Sequence, residues 1–194
     1  MAGLMDLLGA ALNENTVKRI ATQLGASDSQ VQSAIGMALP ALLQAMQRNA
    51  ADPQGAESLA NALQRDHDGG ILDDLMGFLG NAQQGPGAGI LRHVLGDQRM
   101  VVQQGIGQAT GINPNQIGDL LEVLAPVVMG ALGRATRQQG VGAGGLLDML
   151  DQVTGQMQRQ QPQAFNLVIM LLDQNRDGNV VDDVVRMLGN FFKR

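Results

Sequence analysis

The chain has 194 residues, 44% of them hydrophobic, and a formal net charge of −5, so it can bury a sizeable core and is too apolar for wholesale disorder. Its 13 basic residues form no run and the arginines are scattered singly, which speaks against the clustered positive footprint of a nucleic-acid binder and against an anionic membrane surface. Cysteine is absent, which excludes disulfides, thiol nucleophiles and Cys-ligated zinc.

Met1-Ala2-Gly3-Leu4-Met5-Asp6 lacks the basic n-region of a secretory signal. The long uncharged span 29–47 carries Gln30, Gln32, Ser33, Gln44 and Gln47 and makes a poor bilayer span. A cytoplasmic protein without a membrane span and without a nucleic-acid partner is expected. Its core must be built from Leu, Ile, Val, Ala and eleven Met, with Met filling irregular gaps.

In chain order, Ser27-Asp28-Ser29-Gln30 reads as a capping box. The apolar set Val31, Ile35, Ala38, Leu39, Leu42, Leu43 and Met46 follows it at helical spacing. Pro40 lies inside this stripe, which predicts a kinked helix or two helices meeting there. Asp52-Pro53 opens another helix, through Leu59 and Leu63. Short glycine-bounded units come next, 70–77 and 89–96, with a partial third from Gly145 to Leu150; each reads as a short helix stopped by glycine. The stretch 81–89 is rich in Gly and Pro and reads as a linker, and 138–145 reads as a second flexible join. Asn113-Pro114 starts a helix with the stripe Ile117, Leu120, Leu121, Leu124, Val128 and Leu132, and Pro126 lies inside it. A broad stripe of Val180, Val181, Val184, Val185, Leu188, Phe191 and Phe192 closes the chain; it reads as core, or as a face for partner docking. No segment alternates with a two-residue period over strand length.

Two echoes organise these elements. The stretch 39–48 returns at 125–134, 86 residues on, and Ile20, Gly25, Val31 and Ile35 return as Ile106, Gly111, Ile117 and Leu121. The stretch 68–75 returns 109 residues on, at 177–184. The expected fold is therefore all-α, a compact multi-helix bundle of nine or ten helices built by internal duplication. Its expected organisation is a first helical repeat at 1–80, a linker at 81–89 and a second helical repeat at 90–194, packed as one body or as two joined halves. The box Gly89-Ile90-Leu91-Arg92-His93-Val94-Leu95-Gly96, the Asp-Gly-x-apolar-apolar-Asp-Asp boxes and the 117–134 helix together resemble the YidB-like bacterial proteins. That resemblance covers most of the chain. It implies an all-helical fold with internal repeats and brings no assigned activity, catalytic residues or cofactor.

One local pattern carries chemistry. Asp173, Asn175, Asp177 and Asn179 alternate around Gly178, the spacing of an EF-hand-like calcium loop. Position twelve is Val184 instead of a bidentate Glu, and Asp182 and Asp183 are the substitutes at hand, so affinity should be weak, with a dissociation constant on the order of 10⁻⁴ to 10⁻³ M. The other reading is a polar turn whose Asp and Asn side chains bond nearby amides. The counterparts in the first echo, Gln64, Asp66, Asp68 and Gly69, keep the turn without the full ligand set and favour that reading. Asp66-His67-Asp68 and His93 are weaker candidates for metal or acid–base work, since neither has a sequence partner. The stretch 140–145 matches G-x-G-x-x-G but follows a polar helix end, whereas a dinucleotide site needs a strand there. The expected function is therefore non-enzymatic: an interaction or scaffold protein binding a protein partner or itself through an apolar groove. The alternative is a calcium-binding module at 173–183; no other cofactor is expected.

Overall fold

The computed structural model describes residues 3–82 and 85–173. Asn175, Asp177, Asn179, Asp182, Asp183 and the 180–192 stripe lie outside the described residues, as does the side chain of Asp173.

Ten α-helices follow one another among the described residues: α1 Leu4–Ala11, α2 Glu14–Leu24, α3 Asp28–Ala51, α4 Pro53–Arg65, α5 Leu75–Gly80, α6 Gly87–Val94, α7 Arg99–Thr110, α8 Pro114–Gln139, α9 Ala143–Gln160 and α10 Pro162–Asp173. No strand occurs among them, so the fold is all-α. The caps explain most boundaries. The Gln30 amide donates to Ser27 Oγ, while Gln30 Oε1 accepts from the Ser27 amide, which closes the box that starts α3. Asn113 and Gln116 do the same for α8. Asp52 Oδ2 accepts from the Gly55 amide to start α4. Left-handed glycines end α2, α7 and α8, at Gly25, Gly111 and Gly140.

Helices α3 and α8 are buried on most of their faces and form the centre. Helix α3 packs against α4, α7, α8, α9 and α10; α8 packs against α1, α3, α4, α6 and α7. Residues from both expected repeats share one buried cluster, from Leu4 through Leu43, Leu91 and Leu121 to Leu172. Helix α6 begins at Gly87, inside the expected 81–89 linker, and Ala82 is buried.

The chain runs helical through Pro40 and Pro126, and neither proline separates two helices. An interior proline costs about 3 kcal/mol, but burying one large apolar side chain returns about 1.5–3 kcal/mol, and both helices bury many. Proline at 126 leaves the Glu122 carbonyl without its helical donor. Helix α6 starts against that carbonyl at Gly87, where a side chain would overlap the oxygen.

Two of the glycine-bounded units differ from expectation. The 70–77 unit is a 3₁₀ turn, Gly70–Leu72, followed by the start of α5. Gly77 lies inside α5, because Asp74 Oδ1 takes its amide and caps a new helix. Gly145 lies inside the 18-residue α9, which starts no short unit. The 89–96 unit does form a short helix followed by Gly96 at φ +51°, but α6 begins at Gly87, so Gly89 lies inside it. The 140–145 stretch joins α8 to α9, with Gly140 ending one helix and Gly142 capping the next.

Features 86 residues apart match closely. Helices α2 and α7 end at Gly25 and Gly111, α3 and α8 start on capping boxes, and Ile20, Val31, Ile106 and Ile117 are all buried. The Gln30 Nε2 donates to the Thr110 carbonyl at the end of α7, at 3.2 Å. Its counterpart, Gln116 Nε2, donates to the Leu24 carbonyl at the end of α2. Helices α4 and α10 both open on proline, 109 residues apart, and α9 stands between α8 and α10.

Candidate functional site

The turn after α4 carries Asp66, His67 and Asp68, and the Asp68 carboxylate is held locally. Asp68 Oδ1 accepts from the Gly70 amide at 2.9 Å, and Oδ2 lies 3.8 Å from Arg137 Nη1. Gly69 sits at φ +94°, a conformation that favours glycine. Its carbonyl accepts from Arg134 Nη2 at 2.7 Å, and the same guanidinium pairs with Asp73 Oδ2 at 2.6 Å. Arg137 Nη2 donates to the Gln64 carbonyl at 2.8 Å. Asp74 caps α5. The turn that echoes the candidate calcium loop is thus anchored to α8 by two arginines. Among the described residues, no group of three or more His, Asp or Glu is placed to hold a metal ion.

Glycine on α8 makes this anchoring possible. A Cβ at Gly133 would overlap the His67 carbonyl oxygen and approach the Leu63 carbonyl oxygen to 3.3 Å. A Cβ at Gly130 would overlap the Ile71 side chain. The positions 86 residues earlier are Gln44 and Gln47, and that difference was the signal in the sequence for a close approach on α8.

On the other side of that turn, a cavity of about 540 Å³ opens between α3, α4, α6 and α8. Met46 and Met129 line it and are buried; Leu59, Ala62, Ile90 and Val94 line it and are half-buried. Three polar side chains of this groove, Arg48, Asn49 and Asp52, are occupied in holding helix ends. Asn49 Nδ2 lies 3.2 Å from the His93 carbonyl and 3.3 Å from the Val94 carbonyl, at the end of α6. Asp52 caps α4 and is exposed. Arg48 Nη1 donates to the Leu172 carbonyl near the end of α10 at 2.9 Å, and Gln98 Nε2 donates to the same oxygen at 2.7 Å.

Both histidines line this groove. His67 is half-buried; burial lowers its pKa from the usual value, and the charge of Asp66 opposes the shift. His93 is exposed, and its Nδ1 lies 3.1 Å from the Gly89 carbonyl. The structure therefore brings the two histidines to one groove, and among the described residues the nearby carboxylates of Asp52 and Asp66 are exposed.

A second cavity, of about 320 Å³, lies between the ends of α2 and α5 and the first turns of α8. Asp119 and Glu122 line it, and Arg99 Nη2 pairs with Glu122 Oε1 at 2.5 Å. Burial raises the Asp119 pKa, the Glu122 charge adds to the rise, and Arg99 opposes it. Helix α8 is the one described helix long and apolar enough to cross a membrane by length and composition; 83% of its apolar window is buried within the chain.

A search of curated proteins and a search of solved structures returned no match. The profile of a family described as "Bacterial protein of unknown function (DUF937)" matches residues 6–135, from α1 almost to the end of α8. That span includes α3, most of α8, the Asp66–Asp74 turn and the residues lining the large groove, so the chain belongs to the bacterial DUF937 family, whose function is unknown.

Proposed function

We propose that this chain is a non-enzymatic interaction protein whose groove between α3, α4, α6 and α8 receives an amphipathic helix of a protein partner. The observation that carries this reading is the large groove itself, with half-buried Leu59, Ala62, Ile90 and Val94 around buried Met46 and Met129. An apolar trough between helices suits the helix-in-groove mode of recognition, and methionine adapts to varied side chains. The polar groups at its edge, Asn49, Asp52 and Arg48, already hold helix ends, so they rigidify the trough more than they offer chemistry. In this reading the protein works in the cytoplasm, with no nucleic-acid partner and no membrane span. The echoes at 86 and 109 residues then record a duplicated ancestor, with α9 as an insertion in the second copy.

The test uses a labelled amphipathic helical peptide rich in Leu and Phe, read by fluorescence polarisation against the full chain. Saturable binding that weakens at least about tenfold in Ala62→Arg, and stays unchanged in Gln32→Arg on the exposed face of α3, is the expected result. Equal binding by all three proteins, or none, would end the proposal. The calcium alternative at 173–183 rests on ligand spacing alone.

A further inference from the structure

We propose that the groove is gated by protons: an apolar partner helix enters it only while His67 and His93 are uncharged, so acidification releases the partner. This rests on the groove reading above and adds regulation to it.

Placement points there first. The chain has two histidines, and both line this one cavity of about 540 Å³. They reach it from different elements, His67 from the turn after α4 and His93 from the last turn of α6. His67 is half-buried, and its backbone is pinned on both sides. Its carbonyl lies against Gly133, where a Cβ would overlap the oxygen. Arg137 holds the Gln64 carbonyl before it, and Arg134 holds the Gly69 carbonyl after it. A turn held in this way keeps its place when a helix arrives, so the His67 ring stays within reach of the groove.

The surrounding charges do little to keep an imidazolium in a covered groove. Among the described residues, the other charged side chains lining it are Arg48 of α3 and Asp52 at the start of α4. Arg48 is itself a cation, and Asp52 is exposed and caps α4. Helix α8 lines the groove with Met129, while its Arg134 and Arg137 face Asp73 and Asp68. Asp66, beside His67, is exposed to solvent, which screens its charge.

The sign of the linkage follows. Burial already outweighs Asp66 at His67 and lowers its pKa in the free chain. A helix laid over half-buried Leu59, Ile90 and Val94 removes more water from the ring and disfavours its charged form further. His93 is exposed in the free chain and has more hydration to lose. Its Nδ1 lies 3.1 Å from the Gly89 carbonyl; with Nδ1 donating there, the second proton enters at Nε2. A bound state that holds protons less tightly than the free state releases them on binding. Affinity for the helix therefore falls as pH drops through the histidine range.

The probe is an amphipathic helical peptide rich in Leu and Phe, without Asp, Glu or His, blocked at both ends and carrying a dye insensitive to pH. Its binding to the full chain is followed by fluorescence polarisation between about pH 7.5 and about pH 5.5, with circular dichroism recorded alongside to follow the fold. Each histidine whose pKa drops on binding contributes up to about tenfold per pH unit, so the wild-type affinity should fall at least about fivefold. In the His67→Gln/His93→Gln variant it should stay within about twofold across the same range. Calorimetry of the wild-type chain at about pH 6.5, in buffers of different ionisation enthalpy, should show proton release on binding. Wild-type binding that is unchanged in acid, or a fall that the double variant keeps, would overturn the proton gate and leave the groove reading standing. Binding that tightens in acid, with proton uptake, would also overturn it. No binding at any pH would end the gate together with the groove reading.

Discussion

Replacing Gly133 by Ala should destabilise the protein, although helix propensity alone gives the opposite sign. In an open helix the change contributes up to about 1 kcal/mol of stability. At position 133 the new methyl would overlap the His67 carbonyl oxygen and come within 3.1 Å of its carbon. Both partners are backbone, so the turn after α4 must move. Overpacking of this kind costs about 1–3 kcal/mol. Displacing the turn also loosens the bonds from Arg134 to the Gly69 carbonyl and from Arg137 to the Gln64 carbonyl, each contributing about 0.5–1.5 kcal/mol. The Asp73 pair is left out because that carboxylate is largely exposed and screened. The net loss is about 3 kcal/mol, a fall in Tm of about 6–12 °C for a chain of this size. The control is Gly155→Ala in α9, where a Cβ meets nothing within 4 Å; it should gain up to about 1 kcal/mol. Urea unfolding followed by far-ultraviolet circular dichroism reads both, since the chain has no Trp or Tyr for fluorescence. A Gly133→Ala protein as stable as wild type would refute the close approach of turn and helix.

Other expectations are independent of that one. Asp119 has its pKa raised by burial and by Glu122, so the folded protein holds its proton to higher pH than the unfolded chain; its ionisation therefore lowers stability as pH rises through the folded pKa. Asp119→Asn should accordingly raise Tm at pH 7, and the gain should vanish below the unfolded pKa of 3.8; thermal melts across that range check it. Gln30→Glu and Gln116→Glu keep an oxygen for their capping boxes but remove the donors to the Thr110 and Leu24 carbonyls, so each should cost about 1–3 kcal/mol, with similar losses at the two sites. Calcium at 10 mM would raise stability by about 1.4 kcal/mol if it bound with a dissociation constant of about 1 mM; the turn reading expects no rise in Tm, and a rise abolished by Asp177→Asn would favour the calcium alternative.

The sequence displayed the local architecture well, because helix starts and stops are written within a few residues. Ser27 with Gln30, Asp52 with Pro53 and Asn113 with Pro114 mark starts, and Gly25, Gly111 and Gly140 mark ends. The 70–77 unit differs from its reading because its start is set from afar: Arg134, 65 residues from Gly69, holds the Gly69 carbonyl where the 3₁₀ turn begins, while Asp74 caps a separate helix. Gly145 misled for the opposite reason, since a glycine in the first turn of α9 interrupts nothing. The groove was legible only as a type of surface. Its walls come from four helices between Met46 and Met129, and no spacing rule brings such distant positions together. His67 and His93, unremarkable apart, share that groove for the same reason. The Gly130 and Gly133 notch was visible in principle, as the place where the two echoes part company.

The most direct test of the groove as a protein-binding surface is methyl NMR of the methionine-labelled full chain during titration with an amphipathic helical peptide. Met46 and Met129 line the groove, whereas Met149 and Met157 lie buried on α9. The account predicts saturable shifts of the Met46 and Met129 methyls while those of Met149 and Met157 stay in place. Groove methyls that remain still up to millimolar peptide, or shifts spread evenly over all four, would contradict it.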